Sequence, residues 1–303
     1  MTELSSAFIE RLVATCSNTE GIENGRAPRP FLDSIPTVGS RVPRAILEKL
    51  EKIRIAILAL EEGNLNQHQH TAFEWFLDNF YLISEAARTL REDLPPTFYQ
   101  QLPTVVADSE EGPIRFPRCY LLADELLNSA SSPPDRTYLE ACLVQLQDRV
   151  ALGIGELWAF PALLRVVCLE RLMDALMRIA EVARAEEMAE DSGKSDSDAA
   201  LVSLAVRTLI ELKTIPWRRV FERCSLVHKE LLHDPAEVYA DMDFSTCDRY
   251  RRAVEELASQ VPGHELHVAQ RANALARAKS EEAAGAALCR HVGFYLIGEG
   301  RSE

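Results

Sequence analysis

At 303 residues, 47% of them hydrophobic and 26% charged, the chain has an ordinary water-soluble composition and can bury the core of one large or two medium domains. Its formal charge of −14, without a cluster of Lys and Arg, disfavours non-specific binding to nucleic acid or to an anionic lipid surface, since both need cations facing phosphate. Seven scattered cysteines, Cys16, Cys119, Cys142, Cys168, Cys224, Cys247 and Cys289, read as reduced core thiols of a cytosolic protein rather than as a disulfide framework.

The first residues, Met1 to Ser6, carry neither the basic nor the apolar stretch of a secretory signal. Residues 1–43, with Pro28, Pro30, Pro36 and Pro43, predict an irregular amino-terminal arm. Ile46, Leu50, Ile53, Ile57 and Leu60 then recur at intervals of four and three, which predicts an amphipathic helix ending near Gly63. Phe73, Phe76, Phe80, Ile83, Ala87 and Leu90 predict a second. Leu94-Pro95-Pro96 stops it, because proline has no amide hydrogen for the next helical bond and restrains the residue before it. Shorter helices are predicted over 119–129 and 138–150.

The longest helix is predicted from Glu156 to about Glu190, with Leu164, Cys168, Leu172, Leu176, Ile179 and Val182 as its buried stripe. Pro161 falls in its first turns, where a missing amide hydrogen is tolerated. The most apolar stretch of the chain, Leu157 to Leu164, is bounded by Glu156 and Arg165, far short of the roughly 20 apolar residues that a bilayer crossing needs. The polar segment 191–198 predicts a linker that divides one helical subdomain, 44–190, from a second, 199–303. The second is expected to hold helices near 199–212, 217–232, 246–260, 265–279 and 281–297, the third opened by a capping box from Ser245 to Asp248. No run alternates strictly enough to predict a strand. The fold class is therefore all-α, an irregular multi-helix bundle in two helical subdomains.

Candidate chemistry is sparse. His264-Glu-Leu-His267 spaces its histidines three apart, whereas the zinc-protease helix needs four to bring both nitrogens to one ion, and no third ligand is evident. His228 and His233, with Cys224 one turn earlier, suit surface or capping roles better than a metal. Asp241-Met-Asp243 has the form of the Asp-x-Asp that holds metal and diphosphate in glycosyltransferases, but that motif ends a strand of an α/β sheet and this one lies between predicted helices. Capping by Asp243 and packing by Phe244 fits the context. Gly153-Ile-Gly155 lacks the third glycine, the lysine and the preceding strand of a phosphate-cradling loop. No Gly-x-Ser-x-Gly is present, and 47 carboxylates are too many for spacing to single out an acid/base pair. Trp75, Asp78, Asn79, Tyr81 and Tyr99 could stack on and hydrogen-bond a sugar chain, although aromatic residues at helical spacing more often pack. On this reading the chain has no catalytic, cofactor-binding or metal-binding residues and uses no cofactor. Glu156, at the start of the longest helix, suits the positive end of the helix dipole, and Trp158, two residues on, is expected to be buried between helices.

Four separated groups of residues resemble the cyclic β-1,2-glucan synthases. They are Trp75-Phe-Leu-Asp-Asn-Phe80 with Leu90-Arg-Glu-Asp-Leu-Pro-Pro-Thr-Phe-Tyr-Gln-Gln-Leu-Pro103; Ile154-Gly-Glu-Leu-Trp158; Asp234-Pro-Ala-Glu-Val-Tyr239 with Met242-Asp-Phe244 and Asp248-Arg-Tyr250; and His291-Val-Gly-Phe-Tyr-Leu-Ile297. The resemblance covers most of residues 70–301. It implies the helical region ahead of the first membrane helices of a large bacterial inner-membrane glycosyltransferase, one that polymerises glucose from UDP-glucose. That family's polymerising domain, with its Asp-x-Asp and Gln-x-x-Arg-Trp elements, and its phosphorylase-like domain would lie further on. The expectation is a non-catalytic amino-terminal helical scaffold, a fragment of a longer protein, inactive by itself. Its partners would be the membrane and catalytic domains of the same synthase, with glucan a further candidate and nucleic acid excluded. Its place would be the cytoplasmic face of the inner membrane. The competing expectation is a stand-alone helical protein-interaction module without enzymatic activity.

Overall fold

The computed structural model describes residues 6–17, 42–60, 65–109, 112–185, 192–259, 265–281 and 287–302. Among them the regular structure is fourteen α-helices, a few 3-10 turns and one β-hairpin, so the fold is all-α as the periodicity predicts. Most of the arm expected at 1–43 lies outside the described residues, but Ser6–Ser17 forms a helix, α1, and Val42–Leu58 forms α2. Ile46, Leu50, Ile53 and Ile57 of α2 are all buried.

The helix predicted across 73–90 is two helices, α3 (Gln67–Asp78) and α4 (Phe80–Asp93). The break falls at Asn79, whose side-chain amide donates to the Trp75 carbonyl at 2.8 Å and whose backbone leaves the helical region. Such local competition for carbonyls is what makes asparagine a helix terminator. Asn66 and Gln69 form a reciprocal capping box at the start of α3. After α5 (Pro96–Gln101) comes a hairpin that the sequence reading does not anticipate: β1 (Thr104–Ser109) pairs antiparallel with β2 (Gly112–Pro117), Val105 opposite Phe116. Those two side chains are buried, and Phe116 stacks on Tyr120.

Next come α6 (Arg118–Ser129), α7 (Arg136–Gln147) and α8 (Ile154–Ala185). With 32 residues, α8 is the longest helix described, about 48 Å at 1.5 Å per residue. Pro161 lies inside it without ending it. Leu164, Cys168, Leu172, Leu176 and Ile179 are buried as the stripe predicts, while Val182 is only half-buried. The expected linker at 191–198 lies outside the described residues only at Asp191. Ser192–Asp198 instead open α9 (Ser192–Thr214), a helix anchored further along by buried Val202, Val206, Leu209 and Leu212. Beyond it are α10 (Trp217–Cys224), α11 (Leu226–Leu231), α12 (Phe244–Ala258), α13 (Glu265–Glu281) and α14 (Val292–Leu296). The helix expected at 217–232 is divided at Ser225, whose hydroxyl caps α11 by accepting from the His228 amide.

The chain forms two units. The larger holds Thr2–Leu139 and Ala159–Pro216. In it α1 packs on α6, α2 on α4, and α3 on both α4 and α9. The smaller holds Glu140–Trp158 and Trp217–Glu303, in which α11, α12 and α14 pack around α13. The divisions thus fall near 139, 158 and 216 rather than at 191–198. No helix among the described residues is long and apolar enough to cross a membrane.

Candidate functional site

One of the four groups singled out for their resemblance to one family, 75–80 with 90–103, belongs to the larger unit. The other three, 154–158, 234–250 and 291–297, lie in the smaller unit, around a polar network that sequence spacing does not reveal. Its centre is Asp234, whose side chain is 1% exposed. Glu237, three residues on, adopts a left-handed backbone with φ of 57°, an uncommon conformation for a residue with a Cβ. The chain then turns so that the Val238 and Tyr239 amides point back at Asp234 Oδ2, at 3.2 and 3.3 Å. The same oxygen is 2.6 Å from His291 Nδ1, and Oδ1 accepts from the Val292 amide at the start of α14, at 2.9 Å. Burial alone would raise the Asp234 carboxyl. The hydrogen bonds from His291 and Val292, with the His291 charge and the Tyr239 amide, outweigh it and hold the group below the usual carboxylate range.

An ionised carboxylate only accepts, so Nδ1 of His291 carries a proton. On the other side of the ring, Nε2 lies 2.8 Å from the Tyr250 hydroxyl. Gly293 makes the pairing possible: a Cβ there would lie 2.2 Å from Tyr250 Oη and 2.6 Å from His291 Nε2. The hydroxyl, imidazole and carboxylate are in the order of a nucleophilic triad. Two features make the arrangement a lock instead. Tyr250 is only 5% exposed, and burial, followed by the Asp234 charge, raises its hydroxyl above the usual range, so it keeps its proton.

A second branch surrounds Arg251, which is fully buried. Its guanidinium lies 4.9 Å from the Phe221 ring centre and 4.8 Å from that of Phe244, and Nη2 is 3.7 Å from Asp248 Oδ1. His228 Nδ1 is 3.0 Å from the Tyr239 hydroxyl and 3.4 Å from Arg251 Nη1. Burial first, and the Arg251 charge second, lower the His228 pKa and keep the ring neutral. Tyr239 is itself wholly buried, which raises its hydroxyl. Trp158 stacks on Phe221 at 4.5 Å and meets Phe244 edge-on at 6.0 Å. It is half-buried, not fully buried as the sequence suggests. The start of α8, just before it, is held by two carboxylates: Glu156 accepts from the Gly153 amide at 2.9 Å, and Glu265 accepts from the Ile154 amide at 2.7 Å.

The other candidates are accounted for locally. Asp243 caps α12, accepting from the Thr246 amide. Ser245, expected to cap this helix, instead donates its hydroxyl to Asp243, because the helix begins at Phe244, two residues earlier than expected. That bond, with those from the Thr246 amide and hydroxyl, pulls the Asp243 carboxyl down to about 2 and occupies both its oxygens. His228 belongs to the buried network rather than to the surface, and His233 lies beside Glu230. Cys224 is buried, its thiol pushed up to about 12 by that burial, and its carbonyl accepts from Gln147. Gly153 sits under Glu265, where a Cβ would come to 3.0 Å from Oε1. The aromatic and amide set of the larger unit is dispersed in role. Asn79 is spent on the Trp75 carbonyl, Tyr99 is half-buried near Cys119 and Glu170, and Tyr81 is 72% exposed. His264 lies outside the described residues, among which no three His, Cys, Asp or Glu side chains gather to hold a metal ion.

No protein-family model matches the chain. It is similar to the cyclic β-(1,2)-glucan synthase NdvB of Rhizobium meliloti (strain 1021), 27% identical over an alignment of 306 residues. That alignment takes in 76% of this chain and 10% of NdvB, so the chain spans about a tenth of the length of the relative it matches. The resemblance read from the motifs is therefore a similarity to one part of a much longer protein.

Proposed function

We infer that the chain is a non-catalytic helical scaffold equivalent to the amino-terminal region of a cyclic β-1,2-glucan synthase, holding together rather than carrying out the polymerisation of glucose. The observation that carries this reading is the use made of the resembling segments. Asp234, Tyr239, Phe244, Tyr250, His291 and Trp158 are consumed in holding one another, with hydroxyls kept protonated and carboxylates fully hydrogen-bonded. A reacting group would instead face a cleft with its pKa moved toward working pH. The partners are then the membrane and catalytic domains of the same synthase, at the cytoplasmic face of the bacterial inner membrane.

Two measurements test the proposal. Incubated with radiolabelled UDP-glucose, the purified 303-residue chain incorporates no label into glucan or into itself. Co-produced with the membrane and catalytic part of NdvB, it co-purifies with that part in mild detergent. Label on the chain, or a catalytic part that runs free of it, overturns the reading.

A further inference from the structure

The smaller unit carries a groove of about 380 Å³ that the locked network does not use. Its floor is Ala258 of α12, Ala272 of α13 and Leu296 of α14, all buried. Short side chains at both alanines leave the depression between helices that larger ones would fill. Leu257, Val268 and Leu275 form its half-exposed walls. The rim is cationic, a local reversal in a chain of net charge −14: Arg271 and Arg301 both border the groove. Arg301 is paired with Glu256 at 2.9 Å. Arg271 is exposed and has neither an ion-pair nor a hydrogen-bond partner among the described residues.

The volume lies within the range of small-molecule sites, about 300–1,000 Å³. An apolar trough with an unengaged guanidinium at its edge suits a ligand with a hydrocarbon body and one anionic end. We propose that this groove binds a single-chain anionic amphiphile, with its alkyl chain along Leu257, Val268 and Leu275 and its carboxylate on Arg271. The proposal does not depend on the scaffold reading, since it uses none of the residues that carry it.

The test is calorimetric titration of the full chain with decanoate, decanol and decyltrimethylammonium, each below its micelle concentration. Decanoate binds saturably at one site, weakens as salt is raised, and shifts the amide NMR signals of Val268, Leu275 and Leu296. Decanol binds about tenfold more weakly or worse, and the cation does not bind. Arg271→Gln lowers decanoate affinity by about tenfold without changing the thermal midpoint, and Leu275→Glu abolishes binding. Equal affinity for decanoate and decanol, or an Arg271→Gln chain that binds like the parent, overturns the proposal. So does binding seen only on vesicles of anionic phospholipid and never with monomeric decanoate.

Discussion

The two units of this molecule solve the same packing problem with different materials. The larger buries Leu12, Ile46, Leu50, Phe76, Phe116, Phe160 and their neighbours, side chains that meet mainly through shape and dispersion, with Glu170, to which the Tyr120 hydroxyl donates at 2.9 Å, among its few buried polar groups. In the smaller, the two largest fully buried side chains are Arg251 and Tyr239, accompanied by Asp234, Ser225, Gln147 and Asn273. An apolar core gains from every contact but accepts many arrangements of similar volume. A buried polar network accepts few, because each donor left without its acceptor carries its full desolvation cost. The smaller unit should therefore be the more fragile to single substitutions and the more specific in its geometry.

That contrast breaks most sharply at Asp234. Asp234→Ala strands the His291 ring and the amides of Val238, Tyr239 and Val292 at once, and is expected to cost about 3–5 kcal/mol by denaturant unfolding. A loss below that of an ordinary surface mutation would mean that the network is ornamental. The native Asp234 carries the same information in its pH response. Its pKa is depressed in the fold, so its contribution is fully present above the ordinary carboxylate range and is lost as pH falls below it. Acid should accordingly open the smaller unit first, which amide exchange can follow unit by unit.

Trp158→Ala comes next, with an expected cost of about 2–4 kcal/mol, below a fully buried tryptophan because the residue is only half-buried. Its fluorescence should be quenched or restored with unfolding and remain unmoved by added β-1,2-glucan. A smaller effect of opposite sign is expected at Glu255. Burial, with the charges of Glu265, Asp248 and Glu256, raises its carboxyl to about 7. The protonated form is favoured by the fold, so its contribution is fully present below about pH 4.3 and is lost as pH rises through about 7. Glu255→Gln should hence stabilise the chain by roughly 1–3 kcal/mol at about pH 8 and by nothing at about pH 4. The smallest change belongs to the larger unit: Leu50→Met, in the apolar core, should cost less than about 1.5 kcal/mol. If it cost as much as Asp234→Ala, the distinction between the two cores would fail.

Legibility in the sequence follows the same division. Helices of the larger unit could be read from spacing because their buried residues are apolar and periodic, as Ile46, Leu50, Ile53 and Ile57 are. The break at Asn79 and the hairpin at 104–117 could not, since one rests on a single side-chain amide and the other on strands of six residues each. Asp234, Tyr250 and His291 lie 57 and 41 residues apart along their two contacts, a separation to which no local pattern is sensitive. What betrayed them was membership in segments that resemble one family. Their roles had to wait for distances. The same holds for Arg251, which in sequence is one of three arginines among acidic neighbours and in the fold is wholly buried between two phenylalanine rings.

The smaller unit is assembled from two stretches of chain, with Ala159–Pro216 of the larger unit intervening. On a ribosome this imposes a timetable. Trp158 emerges before any of its aromatic partners exist, and all of the larger unit has been made before Phe221 appears. Asp234 and Tyr250 must then wait, solvated and unpaired, until His291 and Val292 leave the exit tunnel. Domains that form from continuous early segments can fold while synthesis continues, whereas a unit closed by its last helix cannot. A nascent chain halted ahead of His291 would carry one finished core and one still open.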